Sequence, residues 1–160
     1  MFILILIKNF ILNSFDYIIY TDGACLGNPG PGGWAALIID KNQLTNKKVG
    51  SEISTTNNRM ELTAVIEALK IIPSESKLAV YTDSKYVING IEIWIVNWKK
   101  SNWKGSNRKE VKNKDLWIQL DNLSQNLNIN WNWVKGHSGD INNEEVDQLA
   151  RREAEKLDIF

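Results

Sequence analysis

The sequence contains very little cysteine and histidine, with one residue of each among 160. A single cysteine, Cys25, excludes an internal disulfide and fits a reducing compartment. One cysteine and one histidine are also too few for the usual ligand sets of a zinc site. Net charge is absent as well, because 19 basic residues balance 19 acidic ones. The net charge therefore gives no sign of a nucleic-acid partner. Only the distribution of the charged residues along the chain can indicate one.

Long uninterrupted apolar runs are missing too. The first 15 residues, MFILILIKNFILNSF, are rich in apolar side chains, but Lys8 interrupts them early. A membrane-spanning helix needs ~20 apolar residues. A signal peptide carries its positive charge before the apolar stretch and a small-residue cleavage site after it, and neither is present. We therefore predict a poorly ordered extension over 1–15, with a membrane-contacting tail as the alternative, and a cytoplasmic protein without a membrane partner.

The rest of the chain, 16–160, is predicted to form a single α/β domain. Segments rich in β-branched and aromatic residues predict strands at 16–22, 32–40, 47–55, 77–83 and 128–134. Helical spacing of apolar residues predicts helices at 57–72, 84–98, 113–125 and 143–157. The first three strands are joined by short turns, which indicates an antiparallel meander. Strands followed by alternating helices and strands predict a mixed sheet with helices packed on it.

A segment rich in glycine and proline follows the first predicted strand. Phosphate-binding loops of this composition need a helix directly after them, because the helix N-terminus supplies the donors. Here the next residues, WAALIID, predict a strand, and no Gly-Lys-Ser/Thr is present. We therefore predict a wide hairpin connection in which glycine lets another backbone approach closely. Asn28 lies at its tip and is available to donate to a ligand.

Two predicted strands end on the same tripeptide, Tyr-Thr-Asp, which places Asp22 and Asp83 at their carboxyl ends. For each aspartate alone, a solvated turn residue is the favoured interpretation. Open α/β sheets bind ligands at this edge, so the matching pair shifts the interpretation towards a site. Glu61 stands three residues after Asn58, and on spacing alone a capping box is the favoured interpretation. Asp147 lies early in a predicted helix, where an acid complements the helix dipole. Its position at the margin of the apolar stripe also predicts that it faces the sheet edge.

The single histidine, His137, lies in the glycine-flanked loop VKGHSGD after the last predicted strand. A lone histidine is most often a surface residue without a special role. A loop beside an active site is also where a proton shuttle is useful, so both interpretations stay open.

Positive charge is concentrated in residues 99–114, where Glu110 is the single acid. The basic residues are Lys99, Lys100, Lys104, Arg108, Lys109, Lys112 and Lys114, and the interleaved or adjacent tryptophans are Trp94, Trp98, Trp103 and Trp117. We interpret the tryptophans mainly as core packing, and the charge as serving more than solubility, because the chain is otherwise balanced in charge. The alternative is a solvated loop.

Five motifs occur in the order and spacing seen in type 1 ribonuclease H: YTDGACLGNPGPGGW, TTNNRMELTAVIEAL, YTDSKYV, WVKGHSGD and EVDQLA. The chain resembles this family over roughly residues 16–157. The resemblance implies a ribonuclease H-like α/β fold: a mixed sheet of five strands, three antiparallel and then parallel ones, with helices on both faces. It also implies an endonuclease that hydrolyses the RNA strand of RNA–DNA hybrids with two Mg²⁺ ions, or Mn²⁺ in their place. The products would carry 5′-phosphate and 3′-hydroxyl ends.

The resemblance also implies roles for individual residues. The metal-binding catalytic acids would be Asp22, Glu61, Asp83 and Asp147, and His137 would assist turnover. Contacts with the nucleic-acid strands are implied for Gly23, Cys25, Asn28, Asn57 and Asn58, and for a basic protrusion at about 95–115 that includes Trp98, Lys99, Lys100 and Lys104. Two positions depart from the family pattern: Ala24 stands where serine is common, and Lys85 where glutamine is common.

Two other functions are considered. One is a non-catalytic module that binds hybrids on the same fold, and the presence of all four acids argues against it. The other is a proofreading-type exonuclease, which requires Asp-x-Glu on the first strand, whereas Asp22-Gly23-Ala24 lacks the glutamate. A monomer is expected, because the sequence has no clear oligomerisation signal.

Overall fold

The computed structural model of the protein describes residues 3–6 and 14–158. Residues 3–6 form a helical turn whose apolar side chains are exposed. The rest of the predicted extension up to residue 13 lies outside the described residues, and its poor order stays a prediction. None of the helices in the described ranges is long and apolar enough to cross a membrane.

A mixed sheet of five strands forms the centre of the protein. The strands are β1 Tyr17–Cys25, β2 Gly30–Asp40, β3 Thr45–Thr55, β4 Lys77–Thr82 and β5 Asn128–Trp133. Their spatial order is β3-β2-β1-β4-β5. The pairs β1–β2 and β2–β3 are antiparallel, whereas β1–β4 and β4–β5 are parallel. The predicted topology is therefore confirmed.

Six helical segments follow or connect these strands. They are α1 Asn57–Leu69, α2 Lys85–Asn89, a π-helical turn Gly90–Trp94, α3 Ile95–Lys100, α4 Lys114–Ser124 and α5 Ile141–Glu155. The single helix predicted at 84–98 is thus three consecutive pieces. At its π-helical turn, a Cβ on Gly90 would lie 1.9 Å from the ring of the buried Trp117, so only glycine leaves room for that indole.

Helices cover both faces of the sheet, as the alternation of side chains along β2 demonstrates. Ala36 and Ile38 point into the larger core, which α1 and α4 complete. Their neighbours Ala35 and Leu37 point to the opposite face, where α5 packs on them. Because successive strand residues face opposite sides, one buried strand serves two cores. The expectation of helices on both faces is confirmed.

The first strand differs from its prediction in a way that matters for the site. It does not end at Asp22 but continues to Cys25, because β2 pairs with it along its whole length. Several glycines therefore belong to strands, and the connection is only residues 26–29. The prediction that Asp22 ends a strand was wrong. Thr21, however, pairs with Thr82, the last residue of β4, so Asp22 lies level with the carboxyl end of that strand.

Candidate active site

Three carboxylates from three different elements converge at this edge of the sheet. Asp22 comes from β1, Glu61 from the second turn of α1, and Asp83 directly follows β4. One oxygen of each lies within 4.8 Å of the others. Asp22 is 5% exposed, and the other two are half-buried. The fold thus places carboxylates that are far apart in sequence within reach of a shared ion.

The fourth acid, Asp147 on α5, lines the same cleft as Asp22 and Asp83, a space of about 370 Å³. Its side chain is 21% exposed, and its Oδ1 accepts a hydrogen bond from Arg151 Nε at 3.1 Å. Among the described acids, it lies outside the close group of three. Its negative charge nevertheless acts on Asp22, so the four carboxylates form one electrostatic unit.

Burial and repulsion between the carboxylates raise the pKa of two of these acids, Asp22 and Glu61, in the absence of a cation. The pKa of Asp22 is raised to about 8, mainly by burial and then by the charge of Asp83, although a hydrogen bond from the Gly23 N–H opposes the shift. The pKa of Glu61 is raised to about 6, again mainly by burial, with hydrogen bonds from neutral side chains acting against it. A bound cation would relieve both effects, because it favours the ionised carboxylates.

Glu61 is oriented by two neutral donors. Its Oε1 accepts a hydrogen bond from Asn57 Nδ2 at 2.9 Å, and its Oε2 accepts one from the hydroxyl of Ser84. The capping box predicted to start at Asn58 is wrong. The N-cap of α1 is Thr56, whose side chain accepts a backbone N–H of the first turn. Glu61 therefore has no capping role, and its carboxylate lies beside those of Asp22 and Asp83.

Asp83 is held by the last helix and the last strand. Asn143 Nδ2 donates to its Oδ2 at 3.3 Å, and Trp133 Nε1 donates to its backbone carbonyl at 3.0 Å. Asn143 is 2% exposed, and its Oδ1 is buried without a hydrogen-bond partner. The predicted shuttle loop passes close by, because a Cβ on Gly136 would lie 2.9 Å from Asp83 Oδ2. His137 follows in this loop, exposed and with a positive φ of 54°.

The residues expected to touch nucleic-acid strands lie mostly along the rim of this cleft. Gly23, Cys25 and Asn57 line it, and Asn28 Oδ1 accepts a hydrogen bond from the Asn57 N–H at 3.3 Å. The Cys25 thiol donates to two backbone carbonyls, and burial raises its pKa. Asn58 is the next, half-buried residue of α1. The glycine-rich hairpin and the start of α1 therefore form one continuous edge beside the acids.

The tryptophans of the basic segment pack together, as predicted. Trp98 contacts Trp94, Trp103 and Trp117, with ring centroids 5.4 to 6.3 Å apart. The Trp103 N–H also donates to the Trp98 carbonyl at 2.6 Å, which folds the loop after α3 back onto this stack. The aromatic residues thus hold the basic loop in one place.

The lysines of this segment are not equivalent. Lys99 forms an ion pair with Asp121 on α4, with 3.0 Å between Nζ and Oδ2. Lys100 and Lys104 are exposed, and no ion pair among the described residues involves them. Arg108, Lys109 and Lys112 are exposed as well, and none of these ion pairs includes them. Together with Lys100 and Lys104 they carry the charge that is available to an anionic ligand.

The donor set fits a hard divalent cation. Mg²⁺ prefers oxygen ligands, and a cluster of carboxylates supplies them. The close group of Asp22, Glu61 and Asp83 has no ion pair of its own among the described residues. The buried Asn143 Oδ1 is a further oxygen next to the group that lacks a hydrogen-bond donor. These unbalanced charges are what a cation would neutralise.

Sequence reasoning did not identify four residues that shape this site: Ser84, Trp133, Asn143 and Arg151. Ser84 carries a local signal, because a serine directly before a predicted helix is a typical N-cap, and it does accept the Val87 N–H. Its second contact, with Glu61, has no counterpart in the local sequence. The contacts of the other three depend on the fold or on side-chain rotamers.

Comparisons with known proteins agree with this architecture. The family model for RNase H matches residues 14–155. Ribonuclease H of Francisella tularensis subsp. novicida is 52% identical over 140 residues, which cover 88% of this chain and 91% of that protein. Ribonuclease H of Francisella philomiragia is 51% identical over 142 residues, 89% of this chain and 93% of that protein. LC9-RNase H1, a type 1 RNase H with the type 2 active-site motif, matches with a TM-score of 0.80 and 30% identity over 88% of this chain and 72% of that one. The chain therefore belongs to the RNase H family.

Proposed function

We propose that this protein is an endonuclease that hydrolyses the RNA strand of RNA–DNA hybrids and leaves 5′-phosphate and 3′-hydroxyl ends. The convergence of Asp22, Glu61 and Asp83 within 4.8 Å, beside an open cleft that Asp22 and Asp83 line, carries this proposal. Membership of the RNase H family supplies the substrate class.

The residues that would hold the metal are Asp22, Glu61, Asp83 and Asp147, with two Mg²⁺ ions per site and Mn²⁺ as the alternative. When bound, divalent ions activate a water molecule and neutralise charge on the leaving oxygen. The chain itself supplies orientation. Asn57 and Ser84 fix both oxygens of Glu61, and Asn143 fixes Oδ2 of Asp83. Asp22 gives up the proton that burial otherwise retains on it.

His137 is assigned to proton transfer during turnover. Its imidazole is exposed and belongs to the loop that passes over Asp83 at Gly136. Histidine is the side chain that most often acts as a general acid or base, which suits a shuttle between the cleft and bulk water.

The activity is tested with three labelled duplexes: an RNA–DNA hybrid, double-stranded RNA and double-stranded DNA, each with MgCl₂ or with EDTA. We expect internal cuts in the RNA strand of the hybrid only, and only with Mg²⁺. Tight hybrid binding without cleavage would instead indicate a non-catalytic binding module. Cleavage of double-stranded DNA would contradict the proposed specificity.

We assign contact with substrate phosphates to the basic segment, and two of its lysines without an ion pair among the described residues provide the test. Neutralised phosphates make affinity depend on salt, with a slope of about 0.7–0.9 per contact in a plot of log Kd against log salt. Replacing Lys100 and Lys104 with alanine should raise KM and lower that slope by about one to two units. Lys99→Ala is the matched control and should have a smaller effect, because Asp121 already neutralises Lys99. A double variant with an unchanged slope would make this segment an ordinary solvated loop.

We also propose that the protein acts in the cytoplasm as a monomer. One chain supplies all four acids, so the site needs no partner subunit. The single cysteine fits a reducing compartment.

A further inference from the structure

Asp147 differs from the other three acids in the kind of group that donates a hydrogen bond to its carboxylate. Asp22 accepts from a backbone N–H, Glu61 from an amide and a hydroxyl, and Asp83 from an amide. All of these donors are neutral. Within the described part of the chain, Asp147 is the one acid of the four that pairs with a cationic side chain, that of Arg151.

Arg151 has a second acid within reach on the same helix face. It lies four residues after Asp147 and four residues before Glu155, and residues at this spacing are neighbours on a helix surface. All three line the cleft. Glu155 is exposed, and none of the ion pairs between described residues includes it. The Arg151 side chain is 54% exposed, so a change of rotamer meets little steric resistance.

We propose that Arg151 is a positioning residue: it serves as the counter-ion of Asp147 in the metal-free protein and turns to Glu155 when a divalent cation binds Asp147. This inference rests on the proposed metal-binding role of Asp147. The two acids are one helical turn from Arg151 in opposite directions, so the guanidinium can leave one without losing an anionic partner. The exchange avoids placing a cation and an arginine on the same carboxylate.

The position of the Arg151 guanidinium affects the site differently in the metal-free and the metal-bound protein. Without metal, Arg151 reduces the repulsion that Asp147 exerts on the buried Asp22. With metal, the same guanidinium would repel the incoming ion if it remained. Its departure to Glu155 removes that opposition, so Arg151 sets the concentration of cation at which the fourth carboxylate joins the site.

Metal binding without substrate tests the first half of the inference. We expect Arg151→Gln to melt below wild type in EDTA, since Asp147 then lacks its counter-ion. In a titration with MgCl₂ followed by melting temperature and calorimetry, the same variant should bind about two- to fivefold more tightly, the range expected for one exposed ion pair. Arg152→Gln is the matched control: it removes the same charge from the neighbouring residue, which does not line the cleft, and should titrate as wild type does.

The second half is tested by a double-mutant cycle. Glu155→Gln should weaken Mg²⁺ binding in the wild-type background, because Arg151 then has only Asp147 as a partner. The same substitution should have no effect once Arg151 is glutamine. A simple loss of negative charge would weaken binding equally in both backgrounds, and that result would overturn the exchange. So would an Arg151→Gln variant that titrates as wild type does.

These outcomes are separable from those of the proposed function. Wild-type protein that cleaves the hybrid while the variants titrate identically would defeat only the role of Arg151. Wild-type protein that neither binds Mg²⁺ nor cleaves would defeat the metal assignment, and the present inference with it.

Discussion

Replacing Asp22 with asparagine is expected to abolish hybrid cleavage and, at the same time, to stabilise the metal-free protein. Asp22 is the most buried of the four acids and the one on which the charges of the other three converge. Asparagine keeps the size of the side chain but removes the charge. Cleavage should fall by about a thousandfold or more, the scale of losing a main electrostatic group of an active site.

The gain in stability follows from the raised pKa. The pKa of Asp22 is about 8 in the folded protein against an ordinary value of 3.8, so the folded state binds the proton more tightly than the unfolded state. Metal-free wild type therefore loses stability as pH rises through this interval, and Asp22→Asn does not suffer this loss. Relief of even one pKa unit is worth about 1.4 kcal/mol. That energy corresponds to a melting temperature about 3–6 °C higher for a domain of this size.

The measurement is thermal unfolding in EDTA and in MgCl₂ across this pH range, together with cleavage of labelled hybrid. The advantage of Asp22→Asn in EDTA should grow from pH 4 to pH 8, the interval between the two pKa values. Mg²⁺ should raise the melting temperature of wild type and have much less effect on the variant. Asp16→Asn is the control, because Asp16 accepts a Lys77 N–H and precedes β1 at its opposite end. An Asp22→Asn enzyme that cleaves at the wild-type rate would remove Asp22 from the active site.

The fold was predictable because most of its signals are local. The strand that ends at Thr82 and the helix that starts at Lys114 lie within one residue of their predicted limits. The predicted element boundaries were wrong where contacts with residues distant in sequence determine the local structure. β1 continues past Asp22 because β2, which comes later in the chain, pairs with it. The helix predicted at 84–98 contains a π-helical turn at Gly90, next to the buried Trp117.

The four acids of the candidate site could be predicted from the sequence, but the residues that hydrogen-bond to them could not. The acids lie in long motifs that resemble those of a known family, so the primary sequence carries them. Their supporting contacts join residues far apart: Ser84 and Glu61 are separated by 23 positions, and Asn143 and Asp83 by 60. No periodicity in a single sequence specifies such pairs. Arg151 and Asp147 are close in sequence, so their ion pair is local. That both line the same cleft as Asp22 and Asp83 is evident only from the folded structure.

Replacing Gly23 with alanine is expected to cause the largest loss of stability at the site. Gly23 lies in β1 directly under α1, and a Cβ there would be 2.3 Å from the backbone nitrogen of Glu61 and 2.4 Å from the carbonyl carbon of Met60. Both are backbone atoms, which no change of rotamer can remove. Helix α1 must therefore move away from the sheet, and such overpacking costs about 3 kcal/mol. The melting temperature should fall by about 6–12 °C.

Activity should suffer beyond this loss of stability, because the displaced helix carries Glu61. A shift of ~1 Å in a catalytic group reduces the rate by about a hundredfold. Cleavage is therefore measured well below the melting temperature of the variant, where circular dichroism confirms that it is folded. Gly105→Ala is the matched control, since a Cβ there meets nothing nearer than the side-chain oxygen of Asn107 at 3.3 Å. The contradicting outcome is a Gly23→Ala variant that melts and cleaves as Gly105→Ala does. In that case α1 does not pack on β1 closely enough to set the position of Glu61. The geometry of the three converging acids would then have to be revised.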